Sequence, residues 1–252
     1  MSLSIWTACA GKSRLRPLRA TPWRVVEAQH VSSTRKLVDS VAEQEELERI
    51  IEQTKPPLPA DCEHLHYLLF SPFRYSPPLR NGSRFGTKQQ RGIWYGSDQR
   101  ETAMAEVAYY RLLFLAGSTA QLLPLTVPLS IFQSHVATNL GVDLTEAPFS
   151  EYREQLSSPT SYEVAQSCGR EMRADGVVAV RFESARQHGG TNLALFHPAA
   201  FAKSDPDTPE AWTCTVTRTQ VEYRPVNVPR RETLVFARSQ FEVDGALPSP
   251  AD

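Results

Sequence analysis

Apolar residues recur at helical spacing near the N-terminus. Residues 22–52 are predicted to be helical, since the run EQEELERIIEQ that begins at Glu43 is rich in strong helix formers and Ser40 followed by Glu43 fits a capping box. Pro57 and Pro59 cannot continue a helix. We therefore expect an N-terminal helical layer that ends before these prolines. Its apolar stripe consists of Val25, Val26, Leu37, Val38, Val41, Leu47, Ile50 and Ile51.

Short apolar runs bounded by turn residues predict strands along the rest of the chain. The segment HYLLFSPF, which starts at His66, is predicted as a buried strand leading into a polar loop at residues 76–91. Two prolines within residues 121–132 indicate an edge strand or a bend. The remaining strands are predicted at residues 93–95, 176–182, 192–196, 212–224 and 232–237.

Two further helices are predicted after residue 97. Asp98 is a favourable N-cap with Glu101 three residues later, and Gly117 follows the last apolar residues, so we expect a helix that ends at about residue 115. A second helix is expected over residues 161–173.

Helices and strands do not alternate regularly enough for a doubly wound parallel sheet. We therefore expect an α+β fold with a mixed or antiparallel sheet. The expected organisation is an N-terminal helical extension over residues 1–60, a main domain over residues 61–244, and a loose tail over residues 245–252.

The composition is ordinary for a water-soluble protein. Of 252 residues, 41% are hydrophobic and 22% are charged, and the formal net charge is -1. This balance gives no electrostatic case for non-specific nucleic-acid binding or for an anionic membrane surface. No apolar run approaches the length of a membrane helix, and the N-terminus lacks a signal-peptide pattern. We expect a cytoplasmic protein with no membrane partner and no direct nucleic-acid partner.

Cysteine and histidine spacing gives no metal signature. The histidines do not cluster at ligand spacing near the cysteines, and the pair His64 and His66 is expected to flank a core strand. The cysteines form no CxxC pair and are expected to be reduced thiols. They are Cys9, Cys62, Cys168 and Cys214.

Arginines and glycines are concentrated in the loop that precedes the second predicted helix. Arg84 lies in the sequence GSRFG, where flanking glycines let the backbone approach a ligand closely. A guanidinium can clamp phosphate through paired hydrogen bonds, and Arg74 and Arg80 could join it. The alternative is three surface arginines on a polar loop.

Glu106 is the residue that most needs an explanation. Its helical neighbours Ala103, Val107 and Tyr110 form a largely apolar face, and a carboxylate there is costly unless it is paired or used. It either meets an arginine or serves a substrate, for example by accepting a ribose hydroxyl and stabilising an oxocarbenium-like transition state. Tyr95 could stack on a flat heterocycle, or it could simply belong to the core.

A third candidate segment is the loop ESARQHGGT between two predicted strands. Ser184, Arg186 and Asn192 are small or polar residues in or beside it, which suits ligand positioning. The chain has no GxSxG elbow, Walker loop or GxGxxG fingerprint. Ser184 is therefore expected to bind rather than to act as a nucleophile.

In this order and spacing, Arg84, Tyr95, Glu106 and Ser184 resemble the Arg, Tyr, Glu and Ser motif of the RES-domain family, which are toxins of bacterial type II toxin–antitoxin modules. The matching stretches are GSRFG, IWYGSDQRETAMAEVAYYR and ESARQHGGTNLALF, and the resemblance spans roughly residues 66–200. The segment PFRYSPP and the N-terminal helical region are similar to the longer, ParT-like branch of the family.

The resemblance implies a fold like that of the mono-ADP-ribosyltransferase toxins, with NAD+ in the cleft of a split sheet and cleaved at its nicotinamide–ribose bond. It implies that Arg84 holds the phosphates or a ribose, that Tyr95 stacks on nicotinamide, and that Glu106 polarises the ribose. Ser184 would position the ligand. The expected catalytic residues are Glu106, Arg84 and Tyr95, and the expected substrate-binding residues are Arg74, Ser184 and Asn192.

The acceptor of ADP-ribose stays open at this point. The ParT-like branch implies a protein acceptor, with phosphoribosyl pyrophosphate synthetase as the candidate, whereas other members hydrolyse or phosphorolyse NAD+. A non-catalytic module that keeps the pocket is an alternative of another class. The family also implies an Xre-like antitoxin partner, and the loop that carries Lys88 and Arg91 could contact either the target or the antitoxin.

Overall fold

Ten strands form a mixed sheet in the computed structural model, and helices pack against both of its faces. The structure describes residues 4–28, 38–75, 77–118, 124–226 and 233–250. The helices are α1 Ile5–Ala8, α2 Val41–Thr54, α3 Tyr67–Arg74, α4 Arg100–Ala116, α5 Arg153–Leu156 and α6 Glu163–Ala174. The strands are β1 Arg16–Ala20, β2 Trp23–Glu27, β3 Trp94–Ser97, β4 Leu125–Gln133, β5 Val136–Asp143, β6 Ala179–Glu183, β7 Thr191–Leu195, β8 Glu210–Val216, β9 Gln220–Pro225 and β10 Leu234–Ala237. The predicted α+β class is confirmed.

The sheet consists of two five-stranded halves. The strand order is β1-β5-β6-β7-β3-β2-β4-β8-β9-β10, and β5 and β6 are the parallel pair among the described strands. β3 and β2 meet at one residue pair, Trp23 with Ser97, whereas β2 pairs with β4 along its whole length. The two halves therefore separate beyond this pair, as the prediction of a split, mixed sheet requires.

Alternation along the strands distributes the core over both faces. On β7, Ala194 packs in the cluster that includes α6, while Leu193 and Leu195 pack in the cluster that includes α3. Helix α4 covers the other half of the sheet, where it packs against β2, β4, β8 and β9. Helices α4 and α6 therefore flank the line along which the two halves meet.

The predicted N-terminal helical layer is wrong in part. Residues 23–27 form β2 rather than a helix, because the β-branched Val25 and Val26 fit a strand that pairs with β4. The capping box of Ser40 and Glu43 is confirmed, and it starts α2, which has no buried residue. Residues 29–37 of the expected helix lie outside the described residues. Residues 1–60 thus supply β1 and β2 to the sheet and are more than a helical extension.

The strand predicted from His66 is wrong. The segment forms α3, whose first turn is capped by the His66 ring accepting a hydrogen bond from the Leu68 amide. Its buried residues Leu68, Leu69 and Phe73 lie on one helical face, so the short apolar run had helical rather than strand periodicity.

Helix α4 is confirmed, but it starts later than expected. Gln99, not Asp98, occupies the N-cap position, because the Asp98 carboxylate accepts hydrogen bonds from Arg181 at 2.9 Å and from the Thr191 hydroxyl at 2.7 Å. Gly117 is the C-cap as predicted.

Several strand predictions need changes of extent. The run 212–224 forms two strands, β8 and β9, which pair with each other in a hairpin. Strands β1 and β5 were missed, and they pair with each other. In the C-terminal tail, Leu247 packs beside α4 and the Pro248 carbonyl accepts a hydrogen bond from the Tyr109 hydroxyl, so this part of the tail is bound to the domain.

The four cysteines are free and buried, and burial raises the pKa of the Cys168 thiol to about 12. None of the helices in the described ranges combines the length and apolarity that crossing a membrane would require.

A substitution at Gly169 tests how tightly α6 packs against the loop that carries Arg84. A Cβ at this position would lie 2.2 Å from the Phe85 carbonyl oxygen, so we expect Gly169→Ala to lower the melting temperature by about 4 °C or more, although alanine is the better helix former. Gly117→Ala is the matched control, because its nearest atom would be at 3.7 Å. Thermal unfolding followed by circular dichroism measures both, and equal melting temperatures would contradict the packing argument.

Candidate active site

A cavity of about 260 Å³ opens where the two halves of the sheet separate. Strands β2, β3, β6 and β7 form its floor, α4 forms one wall, and the Ser83–Arg84 segment with Tyr162 forms the other. It is lined by Trp23, Arg24, Val25, Ser83, Arg84, Tyr95, Gly96, Ser97, Ala103, Glu106, Val107, Tyr110, Tyr162, Phe182 and Asn192.

The wall formed by α4 is the helical face that the sequence predicted. Ala103, Glu106, Val107 and Tyr110 follow an i, i+3, i+4, i+7 pattern, and all four line the cavity. Glu106 is half-buried, which agrees with the expected shielding of its carboxylate. One negatively charged group is thereby placed in a largely apolar wall.

Neutral donors, rather than an arginine, hold the Glu106 carboxylate. Its Oε1 accepts one hydrogen bond from the Ser184 hydroxyl at 2.7 Å and another from the Asn192 side-chain amide at 2.6 Å. Within the described ranges, no hydrogen bond or ion pair involves its Oε2. The carboxylate is therefore fixed through one oxygen by neutral groups, and its second oxygen is placed to accept from another partner.

The turn after β6 orients the Ser184 hydroxyl. The Ser184 Oγ accepts hydrogen bonds from the backbone amides of Arg186 at 3.0 Å and Gln187 at 3.1 Å, so its own proton is directed to Glu106. The glycine pair makes this turn possible: Gly189 has φ +70°, and a Cβ on Gly190 would lie 2.5 Å from the Thr102 hydroxyl of α4. Ser184 is absent from the lining of the cavity and reaches the site by its hydrogen bond to Glu106.

Tyr95 is held by its hydroxyl group. It donates to the Ser83 hydroxyl at 3.0 Å and accepts from the Phe85 amide at 3.2 Å, and its ring lies edge-on to Phe182. Burial raises the pKa of Tyr95 to about 12, so the phenol is neutral at physiological pH. The ring lines the cavity and also packs against the core that includes Phe182, while the hydroxyl fixes the loop before Arg84.

Arg84 is buried at the cavity wall and already has protein partners. Its Nη1 donates to the carbonyl oxygens of Leu156 at 3.2 Å and Ser158 at 3.0 Å, and its guanidinium lies over the Tyr162 ring at 4.7 Å. The two carbonyls take up one end of the fork, so Nε and Nη2 keep donors for a ligand.

Arg24 is a second cation at this site, and the sequence reasoning missed it. It lies on β2, its Nη1 donates to the Tyr95 carbonyl oxygen at 2.9 Å, and its guanidinium lies over the Trp94 ring at 5.0 Å. Burial lowers the pKa of Arg24 to about 10, so it stays protonated at neutral pH. The signal that could have found it is the strand alternation of WRVVE, which was interpreted as helix.

A pair of tyrosines in the cavity walls was also missed. The hydroxyls of Tyr110 on α4 and Tyr162 before α6 are hydrogen-bonded at 3.0 Å. This bond links the two walls, and a sequence separation of 52 residues gives no local signal for it.

The other arginines of the candidate segment lie elsewhere. Arg74 donates to the Pro56 carbonyl at 2.7 Å and pairs with Glu52 at 2.7 Å, so the structure does not bring it to the cavity. Arg80 is exposed and does not line the cavity. Arg91 forms a two-pronged ion pair with Asp61, at 2.6 and 2.9 Å, and therefore fixes the loop to the protein's own core.

Lys88 lines a second, polar cavity of about 510 Å³, which shares Tyr162 with the first. In the part of the chain that the structure describes, no group of three or more histidine, cysteine, aspartate or glutamate side chains is placed to hold a metal ion.

Comparison with known proteins identifies the family. The RES domain matches residues 58–217, which is more than half of the chain, and it includes every candidate residue of the cavity except those on β2. The chain therefore belongs to the RES domain family, and the resemblance inferred from the sequence is confirmed. A search of the curated proteins found no match.

Among solved structures, a chain in the crystal structure of the M. tuberculosis MbcT–MbcA toxin–antitoxin complex is similar to this one. The two are 13% identical, the match covers 82% of this chain and 92% of that chain, and the TM-score is 0.42. The function is therefore argued from the cavity and from the family.

Proposed function

We propose that the chain is the toxin of a bacterial type II toxin–antitoxin module, and that it cleaves the nicotinamide–ribose bond of NAD+ and transfers ADP-ribose to a protein. The observation that supports this most is the Glu106 carboxylate, held through Oε1 by Ser184 and Asn192 in a partly apolar cavity. Membership of the RES family and the cations Arg84 and Arg24 beside the same cavity support it further.

The size and lining of the cavity suit one half of the dinucleotide. Its volume of about 260 Å³ is just below the roughly 300–1,000 Å³ that is usual for small-molecule pockets, so it would take the nicotinamide riboside end. Tyr95 and Phe182 offer aromatic surface to the nicotinamide ring. The free donors of Arg84 would meet the pyrophosphate, and the adenosine half would extend beyond the cavity.

The chemistry needs one fixed negative charge close to the reacting ribose. The C1′–N bond breaks, its electron pair leaves with nicotinamide as the neutral base, and the ribosyl carbon becomes oxocarbenium-like. Glu106 Oε2 would accept a hydrogen bond from a ribose hydroxyl and stabilise the positive charge. A nucleophilic side chain of the acceptor then forms the new bond to C1′, and its proton passes to water.

The acceptor is proposed to be a protein, with phosphoribosyl pyrophosphate synthetase as the candidate that the ParT-like resemblance implies. A cavity open to solvent on one side leaves room for an acceptor to approach the ribosyl carbon. No metal takes part in the proposed reaction, and NAD+ is its substrate rather than a bound cofactor.

Glu106→Gln tests the central role. The purified protein is incubated with NAD+ labelled in the adenylate phosphate, with and without cell extract, and the products are separated. We expect the wild type to release nicotinamide and to label a discrete protein band, and Glu106→Gln to lower NAD+ consumption at least about 100-fold, because the fixed charge is lost. Glu101→Gln is the control, because that carboxylate is exposed at the start of the same helix.

The products separate the alternatives. Free ADP-ribose without a labelled protein would mean that water is the acceptor, and phosphorylated ADP-ribose would mean that phosphate is. A Glu106→Gln variant with unchanged turnover would remove the catalytic role from Glu106. A wild type that binds NAD+ and consumes none would leave a non-catalytic binding module.

Arg84→Gln separates ligand binding from loop fixation. Because the variant loses a charged donor to the pyrophosphate, we expect the dissociation constant of ADP-ribose, measured by calorimetry, to rise about 10-fold or more. Arg80→Gln is the matched control from the same loop, since Arg80 is exposed away from the cavity. A lower melting temperature with unchanged affinity would assign Arg84 to holding the carbonyls of Leu156 and Ser158 alone.

The toxin role is tested in cells. Expression of the chain alone in the cytoplasm, where NAD+ is available, is expected to arrest cell growth. Co-expression of an Xre-like protein from the adjacent gene is expected to relieve the arrest, because this protein would insert a segment near Arg84 and Glu106. Cells that express Glu106→Gln serve as the control and should grow normally. Growth arrest that no neighbouring gene relieves would argue against the antitoxin partner.

A further inference from the structure

Ser97 lies at the residue pair where the two halves of the sheet meet. It is the last residue of β3, it pairs with Trp23 of β2 on one side, and it pairs with Asn192 of β7 on the other. Only 2% of its surface is exposed. Tyr95 and Ser97 are two residues apart on one strand and therefore face the same cavity.

The Ser97 hydroxyl is the first member of a buried hydrogen-bond relay. Its Oγ donates to the Asn192 Oδ1 at 2.6 Å, and the Asn192 Nδ2 donates to the Glu106 Oε1 at 2.6 Å. Ser97 and Asn192 are both buried. The relay thus connects the junction of the sheet to the carboxylate on α4.

The relay holds the Asn192 amide at both of its ends. An asparagine side chain has a donor end and an acceptor end of nearly equal size. Because the Glu106 carboxylate only accepts hydrogen bonds, the NH₂ group faces it, and the Ser97 hydroxyl donates to the amide oxygen at the other end. The reverse orientation would set the amide oxygen against the negatively charged carboxylate and would leave the Ser97 proton without an acceptor at Asn192.

We infer that Ser97 is a positioning residue for the reaction: it fixes the Asn192 amide so that this amide, with Ser184, holds Oε1 of Glu106 and leaves Oε2 directed at the substrate. The inference deepens the proposed function and rests on it for the catalytic part. Ser97 acts through Asn192 and needs no contact with the reacting atoms.

Removing the hydroxyl has a specific consequence. In Ser97→Ala, the Asn192 Oδ1 is a buried acceptor with no donor from Ser97, so the amide is held at its NH₂ end alone and turns more easily. Glu106 then loses its second donor for part of the time, and its free oxygen is less well placed. We expect kcat to fall about 10-fold with little change in KM.

Nuclear magnetic resonance tests the positioning without any turnover. The side-chain NH₂ signals of Asn192 are assigned by their loss in Asn192→Asp, and their exchange with water is followed in the wild type and in Ser97→Ala. We expect exchange to be about 10-fold faster in Ser97→Ala, because the amide rotates away from Glu106 more often. Ser97→Thr keeps the hydroxyl and suits a strand, so it should restore both slow exchange and turnover.

Ser134→Ala is the matched control, because it removes another buried serine hydroxyl, one that bonds the Pro22 carbonyl away from the cavity. Unchanged exchange in Ser97→Ala would overturn the inference whether or not the protein consumes NAD+. Faster exchange with unchanged kcat would overturn the catalytic part, as would an equal loss of kcat in Ser134→Ala. Faster exchange in a protein that consumes no NAD+ would support the positioning of Glu106 and would count against the proposed function alone.

Discussion

The single residue pair that joins β2 to β3 is the constraint on which this structure depends. Two strands that pair fully close the space between them, whereas strands that pair at one position leave unpaired backbone groups beyond it. Buried groups of this kind need other partners. Arg24 supplies one by donating to the Tyr95 carbonyl. The opening between the halves is therefore stable, and the cavity is a consequence of strand geometry rather than of loops alone.

The opening explains the placement of charge around it. A half-buried carboxylate such as Glu106 would destabilise the folded protein if it had no partners. Two neutral donors stabilise it, one after β6 and one on β7. Both belong to one half of the sheet, whereas α4 packs on the other half. The cations Arg84 and Arg24 contact carbonyl groups and aromatic rings instead. Keeping the opposite charges apart leaves both available to the proposed substrate, whose ribose would become cationic and which carries phosphates.

Sequence patterns predicted those parts of the fold that depend on residues close together in the chain. The α+β class, the face of α4 and the capping box at Ser40 could be inferred from the sequence, because each depends on residues within one or two turns. The assignment of residues 23–27 as a helix failed because the pairing with β4 lies about a hundred residues away. Asp98 was wrongly predicted as an N-cap for the same reason, since its partner Arg181 is distant in sequence.

The residues of the candidate site also differ in whether the sequence could reveal them. Glu106, Tyr95, Arg84 and Asn192 could be proposed from the sequence, because residue type and spacing carry their signal, and all four line the cavity. Arg74 could not be excluded, because its bonds to Glu52 and to the Pro56 carbonyl depend on the placement of α2. Arg24 was missed because the strand alternation of WRVVE was interpreted as helix, and Ser97 could not be found because its role depends on the register of strands that only the fold brings together.

Fixing Glu106 through neutral groups also bears on the proposed reaction. Under that proposal, an arginine in contact with the carboxylate would neutralise the charge that is to stabilise an oxocarbenium-like carbon, so an ion pair that favours folding would be poor for catalysis. A serine and an asparagine satisfy one oxygen without cancelling the charge, but they hold it only if their own orientations are determined. The backbone amides of Arg186 and Gln187 orient the Ser184 hydroxyl, and the Ser97 hydroxyl holds the oxygen end of the Asn192 amide. The position of the Glu106 carboxylate is therefore fixed by residues of the sheet and its turns that lie behind the cavity surface.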